Sequence, residues 1–234
     1  MEDSARELKL EDLVRISEEA DAALKESVAR HLEEKYSLPV VWTGRISSPG
    51  EASYRLFFRT GEESEIPFKV EIGEEEEFLD DYVRNRALYP LRAGLEEAVP
   101  GSAVSLAIPE DSREPEEDRD ISLREYLKKR KITRILARIL VKKDGGAGKE
   151  AVLRALEDAS AHYGADLACG VWYLDEERFE AGKQMFRSFP TVSGDIIEDL
   201  EPEAGFSVYV VDGTAQNIKD FEFEYPEVKQ DGGD

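Results

Sequence analysis

The sequence predicts an α+β fold. An N-terminal helix and an antiparallel meander of three to four strands come first, and a C-terminal half containing a β-α-β unit, an α/β sandwich, follows. Three observations carry this. An apolar stripe at spacings of three and four runs from about Leu10 to Tyr36. Three alternating apolar runs with short turns between them come next. The stretch from Thr133 to Glu176 then reads as strand, glycine turn, helix and strand, and it holds the longest apolar run in the chain.

Leu13, Ile16, Ala20, Leu24, Val28 and Leu32 make the helical stripe, with His31 at its border. Val40, Val41 and Trp42 begin the first strand, which Ser47-Ser48-Pro49-Gly50 turns. Tyr54, Leu56 and Phe58 alternate in the second strand, and Phe68, Val70 and Ile72 in the third. Glu74 to Glu77 suit the positive end of a helix macrodipole, so a helix is expected through Phe78, Leu79, Tyr82 and Val83, to be broken or kinked at Pro90. Ala103 to Ile108 offers a further strand of the N-terminal half.

The segment PEDSREPEEDRD, from Pro109 to Asp120, has no apolar residue and reads as a linker or exposed loop. It divides the chain into an N-terminal unit over 1–108, a linker over 109–121 and a C-terminal unit over 122–234. Ile135, Ala137, Ile139 and Val141 alternate in the next strand. Asp144-Gly145-Gly146 breaks it, and Val152, Leu156, Ala159 and Tyr163 recur at helical spacing up to the stop at Gly164. Leu167, Cys169, Val171 and Tyr173 alternate again. Gln184 to Phe189 reads as a strand, Phe206 to Val210 as another ending at Asp212-Gly213, and Phe221, Phe223 and Tyr225 as the last.

Composition bounds the function. The formal charge of -22 over 234 residues repels nucleic acid and acidic membranes, and suits a basic protein partner. A single cysteine forms no intramolecular disulfide, and the first residues carry no apolar signal region. No run reaches the length of a membrane span. A cytoplasmic protein is the expectation.

Three places hold residues of possible chemical use. Gly145, Gly146, Gly148 and Lys149 lie between strand and helix, where backbone amides are able to cradle phosphate. The pattern departs from a P-loop: Glu150 follows Lys149 where Ser or Thr is needed, and Lys143 stands where the first glycine belongs. A turn that caps the helix is therefore the expectation. Asp175 and Glu176 end one apolar strand and Asp212 ends another. Were the two strands parallel neighbours, the three carboxylates would converge and offer hard oxygen ligands to a metal.

The third place is the clearest deviation from background. From Arg124 to Lys143 the basic residues Arg124, Lys128, Lys129, Arg130, Lys131, Arg134, Arg138, Lys142 and Lys143 face one acid, Glu125. Aromatic interleaving is confined to Tyr126, so base stacking is unsupported. The segment is expected to dock on acidic surface of its own chain or of a second copy. No cofactor is expected. The leading expectation is a non-enzymatic, acidic protein-interaction module of the immunity, antitoxin or chaperone-like adaptor kind, binding a basic partner, with homo-oligomer formation open. The alternative is a metal-dependent phosphoester or nucleotide-processing enzyme built on the strand-end carboxylates.

Overall fold

The protein is described here by a computed structural model covering residues 10–47, 54–61, 65–72, 78–108 and 118–222, with the side chains of 10–20, 46, 47 and 54 outside the description. Helix α1, Leu10–Tyr36, turns Val28, Leu32 and Tyr36 into a small core. Strands β1 (Val40–Ser47), β2 (Tyr54–Thr60), β3 (Pro67–Ile72) and β4 (Phe78–Asp80) pair in that order, each antiparallel to the next. Leu56, Phe58, Phe68 and Val70 put their alternate side chains under α1, with Phe58 and Phe68 fully buried. Burial of each such ring stabilises the fold by about 1.5–3 kcal/mol.

The expected meander therefore forms, with a correction at its end. Phe78 and Leu79 lie in β4 and not in a helix, because their pairing with Ile72 and Glu71 extends the sheet. Helix α2, Tyr82–Ala98, begins after Asp81, and Glu74 to Glu77 lie outside the described residues. Pro90 does not end α2. Ala87, Leu88, Leu91 and Leu95 on either side of it are buried in the main core, and that packing outweighs the hydrogen bond a helical proline removes.

The second sheet has the order β5-β6-β7-β8-β9. Its strands are β5 (Ser102–Ala107), β6 (Arg134–Lys142), β7 (Asp166–Leu174), β8 (Ala204–Val211) and β9 (Thr214–Glu222). Strands β6 and β7 are parallel and joined through α4, Lys149–Tyr163, as the β-α-β pattern requires; every other pair is antiparallel. β5 leaves the meander and pairs with β6, so this sheet includes chain from before the acidic 109–117 segment, itself outside the described residues. Helix α3, Leu123–Arg130, precedes β6.

Each face of this sheet has its own core. Ile135, Ala137, Ile139 and Val141 of β6 face α2, α3 and α4. On the other face Leu140 and Trp172 pack under α5, Glu176–Ser188, and α6, Gly194–Glu198. Residues 184–188, expected as strand, belong to α5, because Phe179, Gly182 and Phe186 recur at helical spacing and are buried together. β8 and β9 form a two-residue hairpin in which Asp212 and Gly213 both take positive φ, 49° and 72°. Phe223 and Tyr225 lie outside the described residues.

Candidate functional site

Strand direction decides the fate of the carboxylates. β7 and β8 are neighbours, yet antiparallel: Leu167 pairs with Val210 and Tyr173 with Ala204. Asp212 therefore sits at the opposite edge of the sheet from Asp175 and Glu176. The premise of convergence is corrected. Asp175 caps α5, accepting from the Arg178 amide at 2.9 Å, and Glu176 accepts from Lys142 Nζ at 2.6 Å. The Asp212 amide donates to Asp166 Oδ1 at 3.4 Å. Among the described residues no group of three or more His, Cys, Asp or Glu side chains stands ready to hold a metal.

The glycine turn packs against its surroundings. The Ala147 amide donates to the Pro100 carbonyl at 3.1 Å, and the Lys142 amide to Gly101 at 2.9 Å. A Cβ on Gly146 would overlap the Lys142 carbonyl oxygen, and Gly145 has a φ of 78°. Both glycines are explained by turn geometry. Gly148 is the N-cap of α4 and makes no side-chain cap bond. Lys149 turns to β9, where it pairs with Asp220 and lies over the Phe206 ring at 5.3 Å.

The basic stretch divides between a helix and a strand. The pattern Ser122-x-x-Glu125 is a capping box that starts α3, a signal legible in the sequence and passed over in the reading of charge alone. Leu123, Tyr126 and Leu127 face inward. Arg124, Lys128, Lys129 and Lys131 are exposed on the outer side, and Arg130 is half-buried over the Tyr126 ring. Arg134 opens β6, exposed, with its guanidinium 5.8 Å from the Tyr209 ring.

Arg124 also lines a groove of about 520 Å³ between α2, α3 and α4, with Arg86, Arg119, Asp120, His162 and Tyr163. Arg86 pairs with Asp120 at 2.7 Å, and Arg119 donates to the Tyr36 carbonyl at 2.7 Å. Residues so far apart in the chain carry no common spacing, which is why the groove was invisible in the sequence.

The charges are polarised along the strands. α3 ends, and β6 begins, at the edge where β7 also begins; along α3 and the start of β6, exposed Arg124, Lys128, Lys129, Lys131 and Arg134 outnumber the one acid of that segment, Glu125. At the other edge β7 ends, α5 begins and β8 begins. Exposed Glu176, Glu177, Glu180, Glu201 and Glu203 gather there, and their pairing with Lys142, Lys143 and Arg178 leaves carboxylates in excess. The Lys142 and Lys143 pKa values are raised, first by hydrogen bonds to Glu176 and Glu203 respectively. The nine residues of β6 set the two edges roughly 30 Å apart.

The fold thus defines an α+β protein of two sheets carrying a charge-polarised surface. Among solved structures the chain is similar to the crystal structure of a DUF5037 family protein from Ruminococcus gnavus ATCC 29149, with a TM-score of 0.59 and 18% sequence identity over 78% of this chain and 89% of that one. That likeness speaks for the fold alone. No family model matches the chain, and no curated protein matches it. No described helix is long and apolar enough to cross a membrane.

Proposed function

We propose that the protein is a non-enzymatic interaction module that docks a protein partner by opposite-charge contact. The observation that carries this reading is the polarisation of the five-stranded sheet: a basic edge at α3 and Arg134, and an acidic edge at the start of α5 and β8. Complementary potentials speed encounter and fix orientation more than they add affinity. The acidic edge suits a basic partner. The basic edge suits acidic surface, which a second copy of this chain also supplies, in keeping with a chain of -22. A lone cysteine, Cys169, buried and unpaired, suits a reducing cytoplasm.

Capture from a host extract tests the reading. Wild type and a variant with Lys128, Lys129, Arg130 and Lys131 reversed to Glu are compared at low and high salt. Proteins held by the wild type at about 50 mM salt, lost at about 500 mM and absent from the variant, are the expected result. Retention of nucleic acid instead, or protein retention that salt does not weaken in either form, defeats the proposal. A melting temperature raised by millimolar magnesium or manganese would favour the metal-dependent enzyme instead.

A further inference from the structure

Two helix faces meet at the outer edge of β5. On α2, Arg92 lies three residues after Tyr89 and four before Glu96; on α5, Lys183 lies three before Phe186 and four before Arg187. Both sets therefore share one side of their helix. β5 stands at the end of the sheet order, so its outer edge carries backbone groups that no described strand meets. The Val104 amide on that edge donates to Glu96 Oε1 at 3.0 Å. The two helix faces, Ser102 to Val104 of β5 and Glu65 ahead of β3 line one cavity of about 320 Å³. That volume falls within the range of small-molecule sites.

Two polar atoms of this lining are buried and have no hydrogen-bond partner, Arg92 Nε and Ser102 Oγ. Native structures keep few such orphans. The Arg92 guanidinium lies 5.4 Å from the centre of the Tyr89 ring. Stacking holds the fork in place and leaves its N–H edge unused. Arg92 makes no ion pair with any described residue.

Positive charge is in excess on the same lining. Arg92, Lys183 and Arg187 stand against Glu65 and Glu96. Glu65 is already held by Arg59 Nη1 at 2.5 Å, so Arg187 Nε, 3.6 Å from its other oxygen, is a second and looser partner. Lys183 reaches Glu180 only at 3.8 Å. Neither contact is a hydrogen bond, so both cations keep donors to spare. Such a cluster is out of keeping with a chain of -22.

We propose that this cavity binds a small anion, with Arg92, Lys183 and Arg187 holding its oxyanion group and Ser102 Oγ giving a further hydrogen bond. A guanidinium fork beside ammonium and hydroxyl donors matches the oxygens of a phosphate or carboxylate. The ligand is small and carries one anionic group, because Glu96 on the lining and the field of the whole chain oppose a polyanion. None of these residues belongs to α3, so the test is independent of the interaction reading.

The test is thermal unfolding and calorimetric titration of the full chain with inorganic phosphate, and in a second arm with malonate, at constant ionic strength held by sodium chloride. Wild type is compared with Arg92→Met, Lys183→Met and Lys128→Met, the last removing the same charge outside the cavity. A saturable rise in wild-type melting temperature is expected, about 3–6 °C at tenfold excess over Kd. Arg92→Met and Lys183→Met are expected to bind about tenfold more weakly or worse, and Lys128→Met as the wild type does. The stronger arm identifies the phosphate or carboxylate class. Absence of a saturable response in both arms overturns the proposal, as does a wild-type Kd in Arg92→Met or Lys183→Met, or equal weakening by Lys128→Met. If Arg92→Met does not fold, Lys183→Met and Ser102→Ala decide by the calorimetric Kd.

Discussion

Arg124 Nη2 donates to the carbonyl oxygen of His162 at 2.6 Å, so the first turn of α3 closes the last turn of α4. The contact meets one of the orphan carbonyls that every helix C-terminus leaves and sets a cation at the negative end of the dipole. Arg124→Ala is expected to lower stability by about 0.5–1.5 kcal/mol in urea unfolding, with an unchanged m value. An effect below a few tenths of a kcal/mol would show that water replaces the bond without loss.

Gly146 and Gly94 should respond to the same substitution with opposite signs. A Cβ at Gly146 meets the Lys142 carbonyl oxygen and Val141 Cγ1, while one at Gly94, exposed within α2, meets nothing within 4 Å. Gly146→Ala is expected to cost more than about 2 kcal/mol through backbone displacement in the turn. Gly94→Ala is expected to add about 0.4–1 kcal/mol, by restricting the unfolded chain and favouring the helix. Thermal unfolding of the two variants beside the wild type checks both.

Alkaline pH should weaken the N-terminal core through Tyr36. Its hydroxyl donates to Asp80 Oδ1 at 2.6 Å, and Asp80, with a side chain only 1% exposed, also accepts from Lys35 at 2.7 Å. Burial, then the Asp80 charge, raises the Tyr36 pKa above its ordinary value of 10.0. The native state therefore keeps a proton that the unfolded state releases. This contribution is fully present below pH 10 and declines as pH climbs above it toward the folded value. Tyr36→Phe is expected to lose about 1.5–3 kcal/mol at pH 7, as for a hydrogen bond to a charged group, and to flatten the decline above pH 10. Equal slopes in both proteins would contradict this.

Much of the fold was legible because its signals are local. The stripe through Val28 and Leu32 fixed α1, alternation through Phe58 and Phe68 fixed the meander, and Gly145 to Gly164 bracketed α4 between parallel strands. The errors arose where tertiary pairing overrides local pattern. Phe78 and Leu79 follow a run of glutamates that favours a helix start, yet pairing with β3 draws them into the sheet. Gln184 to Phe189 alternates over too short a window to distinguish strand from helix, and burial of Phe186 with Phe179 decides it. Whether β7 and β8 run parallel was beyond any local signal, and it alone keeps Asp212 from Asp175 and Glu176.

The most direct test of charge-steered docking is the association rate constant with a captured protein partner across a salt series. It is measured for the wild type and for the Lys128, Lys129, Arg130 and Lys131 reversal. The account predicts that the wild-type rate falls at least tenfold between about 50 and 500 mM salt, and that the reversal is at least tenfold slower at low salt. Dissociation should change by no more than about twofold, since rim charges act chiefly on encounter. An association rate indifferent to both salt and reversal would contradict it.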